Sequence, residues 1–245
     1  WVLNETKTAM GARFLKSQIK RPLTDIDSIN TRLDAVESLK DDLLSREEIR
    51  EILNQIYDLE RLITRITSPN SNPRDCIALK QSLESLIDLP AVLTHLSGSY
   101  LQQLSTFFAD FSTPTNPYQQ CIQLIKTQIL PDPPTSLKDG GVINPDSNKE
   151  LQSLLESFKE VRLWINQFEE KERENTKIKS LKVRFNKVFG YYIEVPHSQV
   201  DHVPEHYIRK QTLTNAERYI TTELKEKENL LLNGEEKQIE LETAI

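Results

Sequence analysis

Apolar positions recur at helical spacing along most of this chain. From Glu5 to about Lys20 they fall at Ala9, Phe14, Leu15 and Ile19, a pattern that stops before Pro22. Thr24 or Asp25 can cap a second helix carrying Ile26, Ile29, Leu33, Val36 and Leu39 on one face and charge on the other. A third stripe runs through Ile49, Ile52, Ile56, Leu59, Leu62, Ile63 and Ile66 and predicts one continuous helix, ended by the turn-forming run from Ser68 to Pro73. Pro73 suits the first turn of a fourth helix reaching about Leu89; Pro90 and Gly98 divide shorter helices. Pro114 and Pro117 start another, which ends near Leu130 before Pro131, Pro133 and Pro134. The first part of the chain therefore reads as a helical bundle with proline-marked turns.

After the turn residues Asp139-Gly140-Gly141 and Asn144-Pro145-Asp146, a helix from Asn148 to about Asn175 carries Leu151, Leu154, Leu155, Phe158, Val161, Ile165 and Phe168. At about 1.5 Å per residue it would span roughly 40 Å and project as an arm. Every residue from Glu169 to Glu174 is charged, which predicts a helix end lying in solvent. A second long pattern, from about Thr222 to Ile245 with Leu224, Leu231 and Ile239, can return antiparallel beside it, with Gly234 as its weak point.

Between these arms the period changes to two. Leu181, Val183 and Phe185 alternate with Lys182, Arg184 and Asn186; Lys187-Val188-Phe189-Gly190 can turn the chain; Tyr191, Ile193 and Val195 then alternate with Tyr192 and Glu194. Residues from Pro196 to Pro204 read as loop, and Tyr207 to Asn215 as a third extended segment. The reading is a mainly α protein: a helical bundle core and two long antiparallel helices carrying a small antiparallel β domain. No internal repeat or low-complexity tract interrupts it.

Charge makes the β region the functional candidate. Lys177 to Arg218 holds eight Lys or Arg and four carboxylates, a net +4, within a chain of net charge −6, so the remainder carries −10. A positive island in an acidic chain suits a polyanion. Lys182, Arg184 and Lys187 stand on the polar face of the predicted hairpin, with Arg209 and Lys210 expected nearby. Lys and Arg neutralise phosphates without reading bases, so such a face predicts sequence-independent, salt-sensitive binding. A solvated strand face with chance excess charge is the plain alternative. Asn186 and Asn215 can donate to phosphate oxygens or simply form turns. Alternation sends Tyr191 to the apolar face and Tyr192 to the basic one, where it is open to stacking on a base.

Other chemistry finds little support. His197, His202 and His206 lie close together, but they lack a Cys partner, and Pro204 breaks helical ligand spacing. The carboxylates from Glu169 to Glu174 read as a solvated face. No phosphate-binding glycine loop, nucleophile elbow or zinc-protease motif occurs, and nothing is built to catalyse. Cys76 and Cys121 sit in separate segments with no ligand spacing, which fits a reducing, cytoplasmic setting. No apolar run is long enough to span a membrane, and Trp1-Val2-Leu3 opens no signal peptide. The absence of an initiator Met, and an end at Thr243-Ala244-Ile245 inside a helical pattern, suggest an internal piece of a longer protein.

The run from Phe189 to Glu226, FGYYIEVPHSQVDHVPEHYIRKQTLTNAERYITTELKE, resembles the clamp signature of the MutS family of DNA mismatch-repair proteins. Thr6 to Leu23, Arg32 to Leu39, Asp58 to Ile66, Asn72 to Asp75 and Lys138 to Ile143 are similar to further motifs of that family, in order, over essentially the whole chain. The stretch from Pro114 to Pro117 departs from the usual pattern as a local surface variation. The resemblance implies a core and lever domain over residues 1–161 and 222–245, interrupted by a clamp domain over 162–221 that closes on double-stranded DNA. It implies sequence-independent backbone contacts, for which Lys182, Arg184, Asn186, Lys187, Arg209, Lys210, Asn215 and Arg218 are the candidates. It also places the mismatch-reading element before Trp1 and the ATPase, with its ATP and Mg, after Ile245. This chain would then have no catalytic residues, no metal ligands and no cofactor of its own. A homodimer and a MutL-type repair partner are implied for the parent protein. Three neutralised phosphates per clamp would give a binding slope near −3 against log salt. The competing classes are a structural or protein-docking helical arm and an RNA-binding arm.

Overall fold

Capping by Asp and Asn side chains sets the rhythm of the first half. The computed structural model describes every residue except Trp1, Pro69, Asn70, Lys187 and Phe189. It is mainly helical with a small antiparallel sheet, and its contacts divide into two units, Trp1–Asn144 and Pro145–Ile245.

In the first unit, α1 (Ala9–Lys20) starts at Thr8, α2 (Ile26–Asp41) at Asp25 and α3 (Leu43–Asn54) at Asp42. Next, α4 (Leu59–Ile66) starts at Asp58 and α5 (Pro73–Ile87) at Asn72, with Pro73 in its first turn. Each capping side chain accepts a backbone N–H that the helix leaves unpaired. Then follow α6 (Leu89–Leu93), α7 (Ser99–Ala109) and α8 (Pro117–Gln128). Leu83, Leu86, Leu89, Leu93, Leu96, Leu101, Phe111 and Ile122 form the shared core.

Two expectations for this unit need correction. The stripe from Ile49 to Ile66 is two helices. The chain breaks between Asn54 and Leu59 because Asp58 caps α4 and the fully buried Ser82 hydroxyl of α5 accepts the Tyr57 amide at 3.0 Å. A tertiary partner thus satisfies the backbone at a break that no Pro or Gly announces. The stripes of α1 and α2 are also largely uncovered: Phe14, Ile19, Ile26, Leu33 and Val36 are exposed, and α2 buries only Ala35. The two cysteines, distant in sequence, lie on the packed helices α5 and α8; burial pushes both thiols above their ordinary range.

In the second unit, α9 (Lys149–Thr176) begins at the Asn148 cap and packs against α10 (Thr222–Ala244), which begins at the Thr221 cap. Their antiparallel order is plain from the ion pair of Glu150 with Lys237 (3.4 Å) and from Phe158 lying on Gly234. Gly234 is a packing position and not a weak point. A Cβ there would sit 2.2 Å from the Phe158 ring, so the absent side chain is what admits the aromatic.

The helices carry a sheet of β1 (Lys182–Asn186), β2 (Gly190–Pro196), β3 (Ile208–Thr212) and β4 (Ala216–Ile220), in the order β1-β2-β4-β3 and antiparallel throughout. The single extended segment expected from Tyr207 to Asn215 is instead β3 and its turn, closed by Leu213 N–H donating to the Ala216 carbonyl at 2.8 Å, and β4 follows. Residues His197–His202 form a short 3-10 helix where loop was expected. Val183 lies opposite Ile193, and Ile193 opposite Tyr219; these inward positions join Ile165, Phe168, Ile178 and Leu224 in one core.

The charged end of α9 is only partly in solvent: Glu170, Lys171 and Glu174 are exposed, but Glu172 is buried. Val161, Ile165, Phe168 and Glu172 follow one another at spacings of four, three and four, so Glu172 lies on the buried stripe. Its carboxylate accepts the Tyr207 hydroxyl and the Asn175 amide (3.3 Å), Glu169 accepts the Val183 amide at 2.7 Å, and Arg173 donates Nε to the Leu181 carbonyl at 2.7 Å. Polar partners from β1, from the segments leading into β1 and β3, and from α9 itself replace the missing apolar core. The Glu169 contact also occupies an outward N–H of the edge strand β1, which would otherwise invite pairing with another chain.

Candidate nucleic-acid interface

Strand register decides which basic residues share a face. Lys182 lies opposite Glu194 and Arg184 opposite Tyr192, and Glu194 in turn opposes Arg218. The face turned away from the helices therefore presents Lys182, Arg184, Glu194 and Arg218 as neighbours across β1, β2 and β4. Lys182 is exposed and has no ion-pair partner among the described residues. Arg184 is half exposed, with Nε 3.7 Å from Glu194.

Arg218 is differently committed. Its side chain is 18% exposed, its Nε lies 3.5 Å from Glu194, it donates to Gln211 at 2.9 Å, and its guanidinium covers the Tyr192 ring. Tyr192 does stand on the polar face, as alternation predicts, but it is 5% exposed beneath that guanidinium and is closed to base stacking.

Arg209 opposes Tyr219 and so turns to the helix side of the sheet, contrary to the single flat basic face expected from sequence. There it pairs with Glu217 at 3.4 Å. Glu217 is buried and held by the Tyr219 hydroxyl (2.5 Å), Arg209 and His197, which together keep its carboxyl below the ordinary range; the Tyr219 bond is the largest cause. Burial first, and that same bond second, push the Tyr219 phenol up to about 12. Arg209, itself exposed, thus caps a polar cluster built around the buried Glu217. Lys210 stands at the β3 bulge, exposed and without an ion pair among the described residues. Because β3 and β1 are opposite edges of the sheet, Lys210 is separated from Lys182 and Arg184 by two strands.

The asparagines divide between turns. Asn186 accepts the Val188 amide through Oδ1 at 2.8 Å, which is turn chemistry, and Asn215 is exposed in the β3–β4 turn, where its carbonyl accepts from His197 N–H. Lys187 lies outside the described residues. His197 directs Nε2 at the Leu213 carbonyl at 2.7 Å, so its ring ties the turn to the sheet.

Sequence reasoning counted the carboxylates only as charge. Glu228 accepts the Tyr191 amide at 2.9 Å and Lys225 at 2.9 and 3.0 Å, and its side chain is 6% exposed. The signal was present: Leu224, Glu228 and Leu231 share one stripe, and a carboxylate on an apolar stripe needs a buried partner.

Among the described residues no cluster could hold a metal ion, and no helix is long and apolar enough to cross a membrane. The family model of MutS domain III matches residues 1–233. The chain is 45% identical over 242 residues to the DNA mismatch repair protein MutS of Lachnoclostridium phytofermentans, covering 99% of this chain and 25% of that protein. It is 45% identical to the protein of the same name from Methanosarcina barkeri over 245 residues, all of this chain and 27% of the relative. The Staphylococcus epidermidis protein of that name is 44% identical over 245 residues, 99% of this chain and 27% of its own length. The chain thus spans about a quarter of the length of the curated relatives it matches. On the family match and on identity at this level across the whole chain, it belongs to the MutS domain III family.

Proposed function

We propose that this chain is the core, lever and clamp portion of a DNA mismatch-repair protein, and that the outward face of its sheet contacts the backbone of duplex DNA without reading sequence. The observation that carries this is the pair Lys182 and Arg184, exposed on one strand face that no helix covers. With Arg218 and Glu194 that face carries net charge +2, against −6 for the chain. Charge of this kind attracts phosphate and does not distinguish bases.

The clamp is residues 162–221, and the levers are the part of α9 before Arg162 together with α10. Lys210 and Asn215, exposed at the far edge, extend the contact around the sheet, whereas Arg209 and Arg218 serve it through the polar clusters they hold together. Coupling runs to an ATPase, with its ATP and Mg, on another part of the parent protein; this chain supplies no catalytic group. A cytoplasmic homodimer with a MutL-type partner completes the reading.

Fluorescence anisotropy of the chain with matched and mismatched duplexes over a range of salt concentrations tests it. Equal, salt-sensitive binding to both, lost in a Lys182→Ala/Arg184→Ala variant, is the expected result. Binding that survives the double substitution, or that favours RNA or an acidic peptide over the duplex, overturns it.

A further inference from the structure

The β1–β2 hairpin is gripped by one carboxylate from each long helix. Glu169 of α9 accepts the Val183 amide near the start of β1, and Glu228 of α10 accepts the Tyr191 amide where β2 begins. Gly190 passes directly over the second carboxylate: a Cβ at that position would fall 2.0 to 2.5 Å from the Glu228 carboxyl atoms, and its φ of +74° is one that side chains disfavour. Glycine suits the positive φ there, and its missing Cβ leaves room for the Glu228 carboxylate, which an added side chain would displace. A carboxylate this buried is costly unless its lone pairs are used, and here a backbone N–H and Lys225 use them. Neither Glu169 nor Glu228 pairs with Lys182 or Arg184.

We infer that Glu228, seated under Gly190, is a positioning residue that fixes the turn end of the hairpin to α10, so that a displacement of α10 against α9 is transmitted to the strand carrying Lys182 and Arg184. The role of that strand rests on the function proposed above, whereas the latch itself is a property of the protein without DNA. Because Glu169 holds one end of the hairpin and Glu228 the other, sliding one helix past its neighbour must tilt the hairpin or break one of the two bonds.

The test uses the 245-residue chain with Glu228→Ala, Glu228→Gln and Gly190→Ala. Without DNA, hydrogen exchange at the Tyr191 amide should accelerate about tenfold or more in Glu228→Ala and Gly190→Ala, with Leu231 exchange unchanged. Glu228→Gln, whose amide oxygen still accepts, should stay close to the parent. Binding to a matched duplex should weaken about threefold or more in the two disruptive variants and recover in Glu228→Gln. Unchanged Tyr191 exchange in Glu228→Ala, equal acceleration at Leu231, or failure of Gln to rescue overturns the latch. Faster exchange without weaker binding, in a chain whose binding does depend on Lys182 and Arg184, overturns the transmission. If binding ignores Lys182 and Arg184, the DNA reading fails, while the exchange data still decide the latch.

Discussion

The guanidinium of Arg218 covers the ring of Tyr192, with Cζ 4.4 Å from the ring centroid. A cation and an aromatic that sequence alone offers to nucleic acid are here spent on each other. Stacking over a ring face, with Glu194 and Gln211 on the guanidinium edges, makes Arg218 a structural residue within the basic face.

Arg218→Ala should therefore destabilise the second unit by about 1–2 kcal/mol in urea unfolding, through the lost stacking and the uncovered Tyr192. Lys182→Ala should stay within about 0.5 kcal/mol of the parent yet lower duplex binding. A large stability loss in Lys182→Ala would contradict its exposed setting.

The salt dependence of duplex binding separates the two faces of the sheet. Lys182→Ala and Arg184→Ala should each reduce the magnitude of the slope against log salt by about one, because each removes one cation on the outward face. Arg209→Ala, on the other face and paired with Glu217, should leave the slope unchanged in binding titrations.

Tyr207→Phe should cost about 2 kcal/mol in denaturant unfolding, since it strips a hydroxyl donor from the buried Glu172 carboxylate. Adding Glu172→Gln, which removes the charge left without its donor, should recover part of that loss. A neutral Tyr207→Phe would mean that solvent reaches the end of α9.

Gly234→Ala should destabilise despite the better helix propensity of alanine. Propensity favours the change by about 1 kcal/mol, whereas forcing the buried Phe158 ring away costs about 1–3 kcal/mol. Phe158→Leu in the Gly234→Ala background should restore part of the thermal midpoint.

In the first unit, Asp58 receives two Arg13 nitrogens at 2.7 and 2.8 Å, and this pairing lowers its carboxyl from 3.8 to about 2. A carboxyl depressed by folding stabilises while it is ionised in both states, so the contribution is present above about pH 4 and lost as pH falls toward 2. Thermal midpoints measured from pH 6 to about pH 2 should converge between the parent and Asp58→Asn at the acid end. A constant gap would remove Asp58 from the account.

Local pattern was enough for the helices that carry their own signals. Pro73 opens α5 and Asn148 opens α9 where the sequence places them, because a cap or a fixed φ acts within one turn. The hairpin from Lys182 to Pro196 was equally legible from its two-residue period, and with it the outward placement of Lys182 and Arg184.

What only the tertiary structure decided is the set of partners. The break before Asp58 depends on a hydroxyl from another helix, and the burial of Glu172 and Glu228 depends on donors that arrive from residues far along the chain. The register of β3 on β4 sends Arg209 to the opposite face from Arg184, and no period within β3 encodes that register. Hydrophobic periodicity states which way a side chain points along its own element. Whether a charge there meets water, a phosphate or a buried donor is set by what folds against it.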